Sequence, residues 1–280
     1  MWQVLRAEAK RMIQSASLYV SIGIGLFLCF TEVMLHLSNE YQTKKMISIY
    51  GMEKLGLYYP KSLYNAFVGY DYVYAPSFIL YIIFPLLATM PYGLSYFSDR
   101  KSGYLKSIFL KTKRNHYLAA KYLVVYFSGF FTTFVILTGG LIFAACFFPA
   151  LRPELVTSTF SPCEKTALWF SLFIEHPLEY TFLYIVVDAI FMGAIATVAL
   201  VISVVAKNML IVLAGAMFGY ITIDIVANIT DTMWISPLRW LMPSQLYCDA
   251  DMGLMFMEFM VVMAITAILF WMREKDKDVF

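Results

Sequence analysis

Apolar residues along this chain gather into six long runs, at about 17–37, 75–92, 118–148, 180–206, 209–229 and 253–272, with polar connections between them. Each run approaches or exceeds the ~20 residues an α-helix needs to cross a ~30 Å hydrocarbon layer. None alternates apolar with polar positions as barrel strands do, and lipid forces backbone groups to be satisfied inside a helix. The pattern predicts an all-α membrane protein with six transmembrane helices, forming one domain over residues 1–280. Ahead of the first run, Trp2, Leu5, Ala9, Met12, Ile13 and Ala16 share one helical face, and Gln3, Arg6, Lys10 and Gln14 the other. That predicts an N-terminal amphipathic in-plane helix feeding the first span. A cleavable signal peptide is the competing reading, but the apolar run is too long for a signal core and no convincing small-residue cleavage site follows.

Charge adds direction. The chain is 61% hydrophobic and 14% charged, against soluble averages of about half and a quarter. Its net charge of +2 matters less than where the cations fall. One set of connections carries Arg6, Lys10, Arg11, Arg100, Lys101, Lys106, Lys111, Lys113, Arg114, Lys121, Lys207, Arg273, Lys275 and Lys277. The opposite set, 38–74, 149–179 and 230–252, is longer but holds only Lys44, Lys45, Lys54, Lys61, Arg152, Lys165 and Arg239. By the positive-inside rule both termini face the cytoplasm of a multi-pass protein. The first outer segment is rich in tyrosine (Tyr41, Tyr50, Tyr58, Tyr59, Tyr64, Tyr70, Tyr72, Tyr74), which suits anchoring at headgroup level. The third sets Trp234, Leu238, Trp240, Leu241 and Met242 among Pro237 and Pro243, predicting short helices that dip into the outer interface.

Polar departures within the runs are the candidate chemistry. Asp188 and Asp224, with Asn228 one turn beyond Asp224, have no evident basic partner in a span. Either they line a hydrated outer cavity, a candidate translocation path, or they hydrogen-bond at helix contacts. Glu32 and Glu258 lie near outer span ends, where exposure to headgroups is cheap, and no role is assigned to them. Small residues recur at Ser17, Ser21 and Gly25, at Ala189, Gly193 and Thr197, and at Gly215 and Gly219, which predicts close helix packing. Cys163 and Cys248 are either unpaired or joined on the outer side. There is no GxxxxGK[ST] phosphate loop, no HExxH and no GxSxG, and His36, His116 and His176 are scattered. No enzyme activity, cofactor, metal site or nucleic-acid partner is expected of the chain itself. Transport, scaffolding or immunity by sequestration, and an intramembrane enzyme pairing Asp188 with Asp224 are the classes left open.

The one concentrated basic loop, 97–117, surrounds Tyr104, Leu105, Ile108 and Phe109 with cations, and Gly103 stands near its start. This pattern suits a short helix lying on the cytoplasmic surface. Asp99, Arg100, Gly103, Leu105 and, at the next span, Lys121 resemble the corresponding stretch of the ABC-2 type permease family, the membrane subunits of ABC exporters, and with Lys101, Tyr104 and Ile108 they are the candidate coupling residues. The family's commoner threonine after the glycine is Tyr104 here, and its Pro-x-Ser/Thr turn is replaced by Lys113-Arg114-Asn115. The in-plane leading helix, six spans, inside termini and the proline-broken segment before the last span extend the resemblance over nearly the whole chain. The resemblance implies a permease in a cell membrane, of bacterial plasma-membrane type. It would pair with a second copy or a sibling, with membrane lipids around it. Two separate ATPase subunits would bind ATP and Mg²⁺, and the 97–117 loop would be the coupling helix seated on the ATPase. The substrate implied is hydrophobic or amphipathic, a peptide foremost, with a small ion, drug or lipid as alternatives.

Overall fold

A computed structural model describes residues 1–50, 61–70, 74–153, 163, 165–245 and 251–275. Its described elements are helical: α1 (Trp2–Ile13), α2 (Ala16–Tyr50), α3 (Leu63–Ala66), α4 (Ala75–Thr89), α5 (Ser95–Lys101), α6 (Tyr104–Lys111), α7 (Arg114–Phe147), α8 (Phe170–Glu175), α9 (Pro177–Val205), α10 (Met209–Ile229), α11 (Pro237–Leu241) and α12 (Met252–Lys275). Five of them (α2, α7, α9, α10 and α12) are long and apolar enough to cross a membrane, so this is an all-helical membrane protein. The second apolar run folds differently in length. It gives only the 15-residue α4, about 22 Å at ~1.5 Å per residue, because a turn through Met90–Leu94 precedes α5. The first run is extended instead. No glycine or proline interrupts 38–50, and Glu40 pairs with Lys44 at 3.3 Å one turn on, so α2 continues well past Leu37.

α7 and α9 form the central pair, with α2, α4, α10 and α12 packed around them. Their contact is close because glycines lie on both surfaces. A Cβ on Gly129 would fall 2.7 Å from Ala196 Cβ, and one on Gly193 would fall 2.9 Å from the Tyr126 carbonyl oxygen. Gly215 faces Ile202 of α9, whereas Gly219 has nothing within 4 Å. Close approach within the chain therefore occurs at Gly193 and Gly215, and not, among the described residues, at Gly219.

Two ends of the bundle are distinct. At one, α1, α5, α6, the start of α7 and the α9–α10 junction converge. At the other, the segment 61–70, α8 and α11 cover the core. There Tyr64 and Tyr70 are buried against Phe173, and Trp240 against Phe191. This corrects the expectation that these tyrosines and Trp240 anchor at headgroup level: they fill the protein's own core. Tyr41 remains exposed, while Tyr58, Tyr59 and Tyr72 lie outside the described residues.

Candidate functional site

Six side chains from α1, α5, α7 and the α4–α5 turn meet beside α6. α1 brings Glu8 because its apolar stripe runs Leu5, Ala9, Met12, and Glu8 falls on that same inward face. Lys121 donates to Glu8 Oε2 at 2.7 Å and to Asp99 Oδ2 at 2.6 Å. Arg11 bonds both Asp99 oxygens, at 2.7 and 3.3 Å, and Glu8 Oε1 at 3.0 Å. The Tyr92 hydroxyl donates to Glu8 Oε2 at 2.6 Å, and that of Tyr117 to Asp99 Oδ2 at 2.7 Å. Every carboxylate oxygen has a donor, and two cations balance two anions.

Burial sets the stakes. The Lys121, Glu8 and Asp99 side chains are 0%, 2% and 3% exposed, while Arg11 is 42% exposed. Burying an ion costs several kcal/mol, recovered only where geometry and extra hydrogen bonds are good. Burial pushes the Asp99 carboxyl up, but hydrogen bonds and charge from Arg11 and Lys121, with the Tyr117 hydroxyl, outweigh it and hold the group below the usual carboxylate range. The neighbouring Arg100 reaches the other way. It donates to the carbonyls of Val204 and, at 2.8 Å, of Ala206, closing the C-terminal end of α9. Asp99 and Arg100 thus tie α5 to α1, α7 and α9.

α6 is attached to this cluster through Gly103, whose φ of +76° makes the left-handed turn between α5 and α6 that glycine adopts without strain. One face of α6 looks inward. Leu105 is buried, Ile108 and Phe109 pack on the core, Phe109 meets Tyr117 edge-on at 5.6 Å, and Arg11 lies over the Tyr104 ring at 4.9 Å. The other face presents Lys106, Ser107, Leu110 and Lys111, with Leu110 78% exposed. Lys101 is exposed on α5. So the structure divides the predicted loop residues. Asp99, Arg100, Leu105 and Lys121 are inward fastenings, and the outward surface belongs to residues that the motif did not single out.

The predicted path residues are likewise separated. Asp188 is 1% exposed in the core and accepts a hydrogen bond from Tyr81 at 3.0 Å. Asp224 is at the rim, where Ser236 and Arg239 bind it at 2.7 and 2.9 Å, so its basic partner comes from α11. Asn228 is exposed. Asp188 and Asp224 are bound by different partners and make no hydrogen bond to each other. Glu32 is 0% exposed, accepts the Ser77 N–H near the start of α4 at 3.1 Å, and lies 3.4 Å from His36. Glu258 accepts the Trp240 indole N–H. Cys163 packs against Tyr180 and Pro243, and Cys248 lies outside the described residues. Among the described residues no group of three or more His, Cys, Asp or Glu could hold a metal.

Glu8, Arg11, Tyr92 and Tyr117 are the cluster residues to which sequence reasoning gave no site role. For Glu8 the available signal was an acid at the i+3 position of an otherwise apolar stripe. Comparison with family models, curated proteins and solved structures finds no match, so the site is read from its own geometry.

Proposed function

We propose that this chain is the transmembrane permease subunit of an ATP-driven exporter of the ABC-2 type. In this reading α6 is the coupling helix for a separate ATPase. The observation that carries it is the wiring of α6: a short helix with a cationic, leucine-bearing outward face, bound at its base to α1, α7 and α9. A push on such a helix is transmitted to the central pair rather than absorbed by a loose loop, since buried ion pairs and Arg100 at the end of α9 resist separation. Leu110 supplies an apolar knob, and Lys106 and Lys111 a charged rim, which is the composition of a docking contact. Two ATPase copies, binding ATP and Mg²⁺, would sit below a pair of permeases, with α1 and both termini on that cytoplasmic side. The substrate class is a hydrophobic or amphipathic molecule, a peptide foremost, as the family resemblance implies.

The test is affinity purification of the full chain from native membranes in mild detergent, with ATP hydrolysis measured on the eluate. A nucleotide hydrolase should co-purify, and Leu110→Glu combined with Lys106→Glu should release it while the permease stays folded. A folded native complex that hydrolyses no nucleotide, or one indifferent to these changes, refutes the exporter reading in favour of a scaffold.

A further inference from the structure

Asp188 stands in α9 between α4 and α10, and its environment is unlike that of the acids near α6. Tyr81 of α4 gives it one hydrogen bond, to Oδ2, and among the described residues Oδ1 has no hydrogen-bond partner. No lysine, arginine or histidine forms an ion pair with it among the described residues. Tyr220, on the adjoining α10, is within electrostatic reach and has a buried hydroxyl that also has no hydrogen-bond partner among the described residues. Cys29 of α2 lies beyond Tyr81. Tyr184, one turn back on α9, is engaged by Gln245. The charged groups of neighbouring elements are bound elsewhere: Asp224 of α10 by Arg239, Glu258 of α12 by Trp240, Lys121 of α7 by Glu8 and Asp99.

The contrast within one chain is informative. Where this protein buries an ionised carboxylate, at Asp99, it supplies donors to both oxygens and two cations. At Asp188 it supplies one neutral donor. A carboxyl in apolar surroundings with so little compensation neutralises rather than remaining charged, and an ionisable group at membrane depth marks a functional position. We propose that Asp188 is a proton-binding site. Its carboxyl carries a proton on Oδ1 while α4, α9 and α10 are packed together, and returns it to water when these helices part and solvent reaches the group. Motion of the central bundle is thereby coupled to uptake and release of one proton per chain. This does not depend on an ATPase partner, so it stands or falls separately from the exporter reading.

Infrared spectra of the purified full chain in lipid bilayers, wild type against Asp188→Asn, provide the test. At neutral pH the wild type should show the carbonyl stretch of a protonated carboxylic acid, lost in Asp188→Asn. Tyr81→Phe should keep that band and move it to higher frequency, because Oδ2 loses its donor. Asp188→Asn should melt at the same temperature as wild type, the amide replacing a neutral acid. A carboxylate signal in place of the acid band overturns the proposal. So does failure of Asp188→Asn to fold, since a neutral isostere would then be no substitute.

Discussion

Replacing Lys121 by methionine keeps most of the side chain's volume and removes its charge from between Glu8 and Asp99. The two carboxylates, 2% and 3% exposed, would then share only Arg11, which is 42% exposed and too solvated to balance both. Removing one partner of a buried ion pair costs about 3–5 kcal/mol, because the partner left behind is still buried and charged. That is roughly a 100- to 4,000-fold fall in the folded-to-unfolded ratio at ~1.4 kcal/mol per tenfold. The control is a triple variant, Lys121→Met with Glu8→Gln and Asp99→Asn. It removes the stranded anions and should recover most of the loss, since neutral replacement of a buried pair is often close to free. Denaturant unfolding in mixed micelles gives the free energies. Limited trypsin digestion at Arg6, Lys10 and Arg11 reports whether α1 has lifted from the bundle. A single variant within about 0.5 kcal/mol of wild type, the range of ordinary surface changes, refutes the argument. A triple variant as unstable as the single one refutes it equally.

Acid should loosen the same joint. Asp99 titrates below its unfolded value of about 3.9, so near that pH the unfolded chain binds more protons than the folded one. Its contribution is fully present above about pH 4, and is lost as the pH falls through the depressed folded value. Tryptic cleavage of α1 after acid pulses should follow this limb, and Asp99→Asn should flatten it. At the helix contacts, Gly193→Leu should cost about 1–3 kcal/mol by forcing α7 and α9 apart, read as a lower melting temperature in detergent. Gly219→Ala meets nothing within 4 Å and should gain up to about 1 kcal/mol from helix propensity. A destabilised Gly219→Ala would show that α10 packs on something outside this fold.

Much of the architecture was legible along the chain. Long apolar runs become helices because hydrocarbon leaves the backbone no other partner, so the spanning helices α2, α7, α9, α10 and α12 follow from composition and length. α1 was readable from its two-faced periodicity, and the glycine approach of α7 to α9 was half readable, since Gly193 was evident and Gly129 was not. Gly103 stood out only as a glycine near the start of the basic loop, and its positive φ shows that it makes the turn into α6. The lengths of α2 and α4 were less legible, because one depends on polar pairs that extend a helix beyond its apolar part and the other on where a turn interrupts.

The pairing of charges belonged to the tertiary structure alone. The links that join α1 to α5 and α7 span 88 positions from Arg11 to Asp99 and 113 from Glu8 to Lys121, and a local window contains no trace of such a meeting. Asp188 and Asp224 look alike as acids in apolar runs, yet one is enclosed between three helices and the other salt-bridged at the rim. Tyr64 and Tyr70 look like interfacial tyrosines and are core. In each case sequence fixes how apolar a neighbourhood is along one helix, while burial and counter-charge are set by what the other helices bring. An ion's energy depends on its surroundings in three dimensions, and only the packed bundle supplies them.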